Sequence, residues 1–157
     1  MNFDSFKKIF EGVESSRIVF VGLGNKYRSD DSSGIIFLNM LKAISFFEES
    51  GFIEAGTNPE NYLEKILILN PAVVVFIDAA DYGGSPGEIR LMESEKIDSL
   101  GFSTHTYSIK IIEEYLSAHG EIKFHYIGIQ PLSTEYGKEV SLAVGDKIND
   151  FFDGNIF

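Results

Sequence analysis

The chain has 157 residues, 44% of them hydrophobic, which suits one domain, 1–157, with a core of its own. It contains no cysteine, so disulfides, thiolate zinc sites, cysteine-ligated iron–sulfur clusters and a cysteine nucleophile are all excluded. A net charge of -11, with 13 basic residues in no evident stripe, argues against nucleic acid as a partner, because counterion release needs clustered lysine and arginine.

At the N-terminus Phe3, Phe6, Phe10 and Val13 fall on one helical stripe and predict a short amphipathic helix over 3–14. This stretch has neither the apolar core nor the cleavage site of a signal peptide, which leads to the expectation of a cytoplasmic protein. Arg17 to Leu23 is a first strand. A helix from about Asp31 to Phe47 follows, with Phe37, Met40, Leu41, Ile44 and Phe47 at helical spacing. Asn39, Lys42 and Ser45 interrupt this most apolar helical stretch, so no membrane span is expected. Gly51 to Ala55 is a short second strand, and Pro59 stands at the first turn of a helix reaching about Leu67.

Ala72 to Ile77 is continuous, apolar and β-branched, as in a strand buried on both faces, and it ends at Asp78. A turn cluster at Tyr82 to Gly87 leads to Glu88 to Met92, a strand expected to run antiparallel at the sheet edge. Ser103-Thr104-His105 opens a helix to about Ala118, with Gly120 as its expected C-cap. Glu121 to Ile129 is another strand, broken by Gln130-Pro131, and Glu139 to Phe152 is the last helix. The alternation predicts an α/β fold, a three-layer αβα sandwich around a mostly parallel twisted sheet of about five strands.

The chemistry concentrates where strands end. Gly22-x-Gly24 after a strand has the form of a dinucleotide turn, but Tyr27 stands where the third glycine belongs. Asp30 and Asp31 follow. Adjacent residues on a helix differ by about 100°, so the two carboxylates must face different ways. Asp30, or Ser29, is assigned to capping and Asp31 to the site. Asp78 closes a buried strand at the edge where α/β proteins bind ligands. Of three histidines only His105 stands at a helix entry; His119 lies near a helix end and His125 within a strand. Asp31, Asp78 and His105 together could hold a borderline divalent cation through N and O ligands; the alternative is general acid–base catalysis by the carboxylate pair.

Several motifs in order resemble the nickel–iron hydrogenase maturation endopeptidases, in their formate-hydrogenlyase-type branch. Gly22-Leu-Gly-Asn-Lys-Tyr-Arg-Ser-Asp-Asp-Ser-Ser-Gly34 is similar to that family's opening G-x-G-N-x-x-x-x-D-D/E-x-x-G. Glu54 to Asn61 carries a Pro-Glu-Asn segment, and Ile77 to Ile89 is similar to the D-A-x-x-x-G-x-x-P-G-x-I block. Ser103-Thr-His105 and Ile127-Gly-Ile-Gln-Pro131 complete a likeness over about residues 17 to 150. Ser32-Ser33 departs from the pattern, in which a glycine commonly follows the acidic pair.

The resemblance implies removal of a C-terminal extension from the hydrogenase large-subunit precursor after nickel insertion. It gives the metal contacts to Asp31, Asp78 and His105, with the nickel supplied by the precursor. Two other classes compete: an α/β protein binding a nucleotide or phosphate at the glycine turn, and a nickel-binding maturation factor that cuts nothing. The adjacent acids oppose the first unless Mg²⁺ intervenes.

Overall fold

The computed structural model describes residues 1–92 and 106–155. Its elements in chain order are α1 (Phe3–Lys8), β1 (Ile18–Leu23), α2 (Ser33–Leu41), β2 (Gly51–Gly56), α3 (Leu63–Ile68), β3 (Val73–Ala79), β4 (Ile89–Met92), α4 (Thr106–Ser117), β5 (Lys123–Ile129) and α5 (Leu142–Phe152). The strands form one sheet in the order β2-β1-β3-β5-β4. All neighbours are parallel except β4, which runs antiparallel to β5 at the edge, as expected. The central strand β3 is buried at every position, which accounts for its unbroken apolar sequence.

Strand alternation sorts the core into two halves. Val73, Val75 and Ile77 join Phe6, Phe20, Phe37, Leu41, Val144 and Phe152 on the face covered by α1, α2 and α5. Val74 and Phe76 join Val21, Ile53, Ile66, Ile112 and Leu116 on the face covered by α3 and α4. The result is the three-layer sandwich. Phenylalanines dominate the first half: Phe6 meets Phe10, Phe37, Phe47 and Phe151 edge to face, a favoured ring geometry.

Several boundaries differ from the sequence expectation. The first helix stops at Lys8, and Phe10 reaches the core from the turns that follow. The second begins at Ser33 rather than Asp31, because residues 29–32 form a tighter 3-10 turn. It ends at Leu41; Ile44 is extended and Phe47 is buried from a separate 3-10 turn. The third opens as a 3-10 turn, Pro59–Tyr62. The last begins at Leu142 behind Ser141, whose hydroxyl accepts from the Val144 amide. Gly120 does not adopt the left-handed conformation of a helix-closing glycine.

Candidate active site

Strands β1 and β3 lie side by side in parallel, with Gly22 opposite Ile77. The loop leaving β1 therefore starts beside Asp78, at the C-terminal edge of the sheet. Three glycines allow the loop and α2 to sit tightly there. At Gly24, φ is +121° and an added Cβ would lie 1.8 Å from the Asp31 carbonyl oxygen. At Gly34 it would lie 2.4 Å from the Ile77 carbonyl oxygen and 2.5 Å from that of Leu23. At Gly22 it would meet Leu38 of α2 at 2.9 Å. The glycine pattern thus belongs to close backbone packing, with α2 pressed onto the ends of both strands.

The two acids of the 3-10 turn point differently, as expected, but Asp30 is no helix cap. Its fully buried carboxylate accepts from the amides of Leu132 (2.8 Å), Ser133 (3.0 Å) and Ser141 (2.7 Å) and from the Ser141 hydroxyl (2.9 Å). Ser29 does not cap either: its hydroxyl donates to Glu139 O, and its φ of 47° is held by the Lys138 carbonyl on its amide. The N-cap of α2 is Ser32, with no side-chain cap bond. Asp31, the partly buried neighbour, accepts from the Asn25 amide at 2.9 Å. The Gly24 amide donates to Gly56 O. These loop amides, which a phosphate would need, are spent within the protein.

Asp78 is only 6% exposed, so it is not simply a strand emerging into water. Its position in the alternation puts it on the α3–α4 face. Its partner in register on β5 is Gly128, where an added Cβ would strike Met92 Sδ at 2.5 Å. His105 lies outside the described residues. Thr106, the residue after it, begins α4, and Ile109, Ile112 and Leu116 of that helix pack on the same sheet face as Phe76. Ser117 ends α4 near the start of β5, so the helix runs back from the sheet's C-terminal edge. Among the described residues no three histidine or acidic side chains group as a metal-ion set.

Sequence reasoning missed Gln130 as a site-building residue. Buried at the end of β5, it accepts from the Tyr82 and Gly84 amides (2.9 and 3.0 Å) and donates to Asp81 Oδ1 at 3.0 Å and Pro131 O at 3.2 Å. The Gln130 bond, with the Gly83 amide, holds the Asp81 carboxyl below its usual range. Burial pushes the Tyr82 hydroxyl up to about 12. The signal was the one that exposed Asp78, a polar residue directly after an apolar strand. A groove of about 430 Å³ lies elsewhere, between Phe3, Pro86, Glu88, Lys147 and Asp150, and contains neither Asp31 nor Asp78.

The sequence model of the HycI hydrogenase maturation protease family matches residues 37–154. The chain belongs to the hydrogenase maturation protease family. It is 30% identical over 115 residues to the hydrogenase 3 maturation protease of Escherichia coli K12, covering 72% of each chain. A Methanocaldococcus jannaschii relative, provisionally named a hydrogenase maturation protease, is 31% identical over 143 residues, 84% of this chain and 83% of its own. Among solved structures, the nickel–iron hydrogenase maturation protease HycI of Thermococcus kodakarensis aligns with a TM-score of 0.80 and 30% identity, over 93% of this chain and 92% of that one. The family makes this chain a hydrolase, an endopeptidase of hydrogenase maturation. Among the described residues no helix is long and apolar enough to cross a membrane.

Proposed function

We propose that this protease removes a C-terminal extension from the large-subunit precursor of a nickel–iron hydrogenase, in the cytoplasm and after nickel insertion, and that nickel enters the site as part of the substrate. The observation that carries the reading is the meeting of β1 and β3: parallel pairing brings the turn of Asp31 and the strand end of Asp78 to one edge. The helix that begins just after His105 packs on Asp78's side of the sheet. Two carboxylates and an imidazole suit a borderline divalent ion, and the lack of thiolates suits reversible contact with a metal held by another protein. Asp31, Asp78 and His105 would grip that ion and align the scissile peptide bond. When bound there, the ion would supply Lewis-acid activation of water, and a carboxylate would be placed to take the proton as that water adds across the bond.

A protein-sized substrate needs open walls. The loops after Asp78 and after Gln130 flank this edge, and Tyr27, Leu132 and Tyr136 are exposed there. Asp78→Asn keeps the shape of the buried side chain while removing its charge. It is expected to abolish cleavage of nickel-loaded precursor, read as loss of the C-terminal peptide by mass spectrometry. Full activity in that variant would sink the assignment.

A further inference from the structure

Segment 130–141 crosses the C-terminal edge without regular structure, and its backbone polar groups bond chiefly to two other loops. On one side it meets the turn that carries Asp31. Besides the four bonds to the Asp30 carboxylate, the Asp30 amide donates to Ser133 O, the Ser29 amide to Lys138 O and Arg28 Nε to Thr134 O. On the other side, Gln130 uses both acceptor and both donor positions of its amide, three of them on residues 81–84. Those residues follow Asp78 after Ala79 and Ala80. The Gly87 amide adds a bond to Gln130 O, and the Gln130 amide one to Glu88 O.

We propose that Asp30 and Gln130 are positioning residues of the protease site, which join the turn of Asp31 to the loop of Asp78 through the shared segment 130–141. This rests on the functional reading above. A fully buried carboxylate is costly unless each oxygen is satisfied, and a buried amide likewise. Both are satisfied here only while the three loops keep their mutual arrangement. The brace therefore holds two carboxylates, one on the turn after β1 and one on β3, at a fixed separation, as a site that must match one ion and one peptide bond requires.

The test is precursor cleavage by wild type, Asp31→Asn, Asp30→Asn and Gln130→Glu, with kcat expressed per folded molecule from circular dichroism. In Asp30→Asn an NH₂ replaces an oxygen that faces amide donors. In Gln130→Glu an oxygen replaces the NH₂ that faces Asp81 Oδ1 and Pro131 O. Each should lower kcat by roughly tenfold or more, the usual effect of removing an outer-shell partner, with KM within about threefold. Adding Asp81→Asn to Gln130→Glu removes the repulsion between two facing carboxylates and should restore part of the rate, the contact with Pro131 O staying unmet. If Asp30→Asn does not fold, Ser141→Ala removes one of the four bonds and takes its place. The positioning roles are overturned if both variants keep wild-type kcat while Asp31→Asn is inactive, or if Asp81→Asn restores nothing. Failure of the wild type to cleave, or full activity in Asp31→Asn, overturns the functional reading and the positioning roles with it.

Discussion

Gly34→Ala is the sharpest test of how the site is built. In an open helix, alanine is preferred to glycine by about 1 kcal/mol, so an unobstructed position would become more stable. Here the new Cβ would lie 2.4 Å from Ile77 O and 2.5 Å from Leu23 O, backbone atoms of two adjacent buried strands. Neither can rotate away as a side chain would. Restoring ordinary contact at 3.4 Å demands that α2 retreat by about 1 Å from a close-packed sheet. Overpacking of this kind costs on the order of 3 kcal/mol, which leaves a net loss of about 2 kcal/mol after the helix gain. Urea unfolding at neutral pH measures it, with Gly22→Ala as the companion. That Cβ meets Leu38 Cδ2 at 2.9 Å, the end of a side chain able to adjust in part, so its loss should be smaller. Because the turn of Asp31 leads directly into α2, cleavage should fall with the retreat. A Gly34→Ala protein as stable as wild type, or more so, refutes the packing argument.

His125 provides a pH prediction. Burial, reinforced by Lys123, lowers its pKa below 6.5 in the folded state, so the unfolded chain binds the proton first. Its stability contribution is intact above the unfolded value and is lost as pH falls through about 6.5 toward the lower folded value. His125→Leu should flatten that part of the profile in urea titrations at pH 7.5 and 5.5; an unchanged slope would refute it. Ser33, fully buried, has a hydroxyl with no hydrogen-bond partner among the described residues. Ser33→Ala should therefore raise unfolding stability by about 1 kcal/mol, and a loss would refute the assignment. Tyr27 and Tyr136 are exposed on loops joined by the Gly137 amide on Tyr27 O. Replacing both with alanine should raise KM for the protein precursor by roughly tenfold and leave kcat nearly unchanged. A fall in kcat at constant KM would place their role elsewhere.

The layers of this fold were legible because its strands are uniform in character. Val73 to Ile77 could be little else, and the turn cluster before Ile89 correctly signalled the antiparallel edge strand. Helix lengths were less legible, since apolar spacing records what is buried and not how the backbone delivers it. Phe10 and Phe47 are both buried as the stripes require, yet both come from turns. At the site, the placement of Asp31's turn and Asp78 at one edge rested on one assumption, that β1 and β3 are parallel neighbours, and they are. The partners of Asp30 did not follow. They lie more than 100 residues away, on a segment without periodicity.

That separation explains why two adjacent acids divide their work as they do. A 3-10 turn advances about 120° per residue, so residues 30 and 31 cannot share an environment. The inward carboxylate is fully buried and accepts four hydrogen bonds, all of them from the protein itself. Among the described residues the outward one accepts one bond, from the Asn25 amide, and its other lone pairs are left for something else. Exchanging the roles would require the 130–141 segment to move to the other side of the turn. A charge-conserving change at Asp30 is therefore not neutral: Asp30→Glu lengthens the inward arm within a full set of donors and must displace either Ser141 or the turn itself. The expectation is loss of both stability and cleavage in Asp30→Glu, whereas Asp31→Glu, at the partly buried position, should remain folded with the stability of wild type.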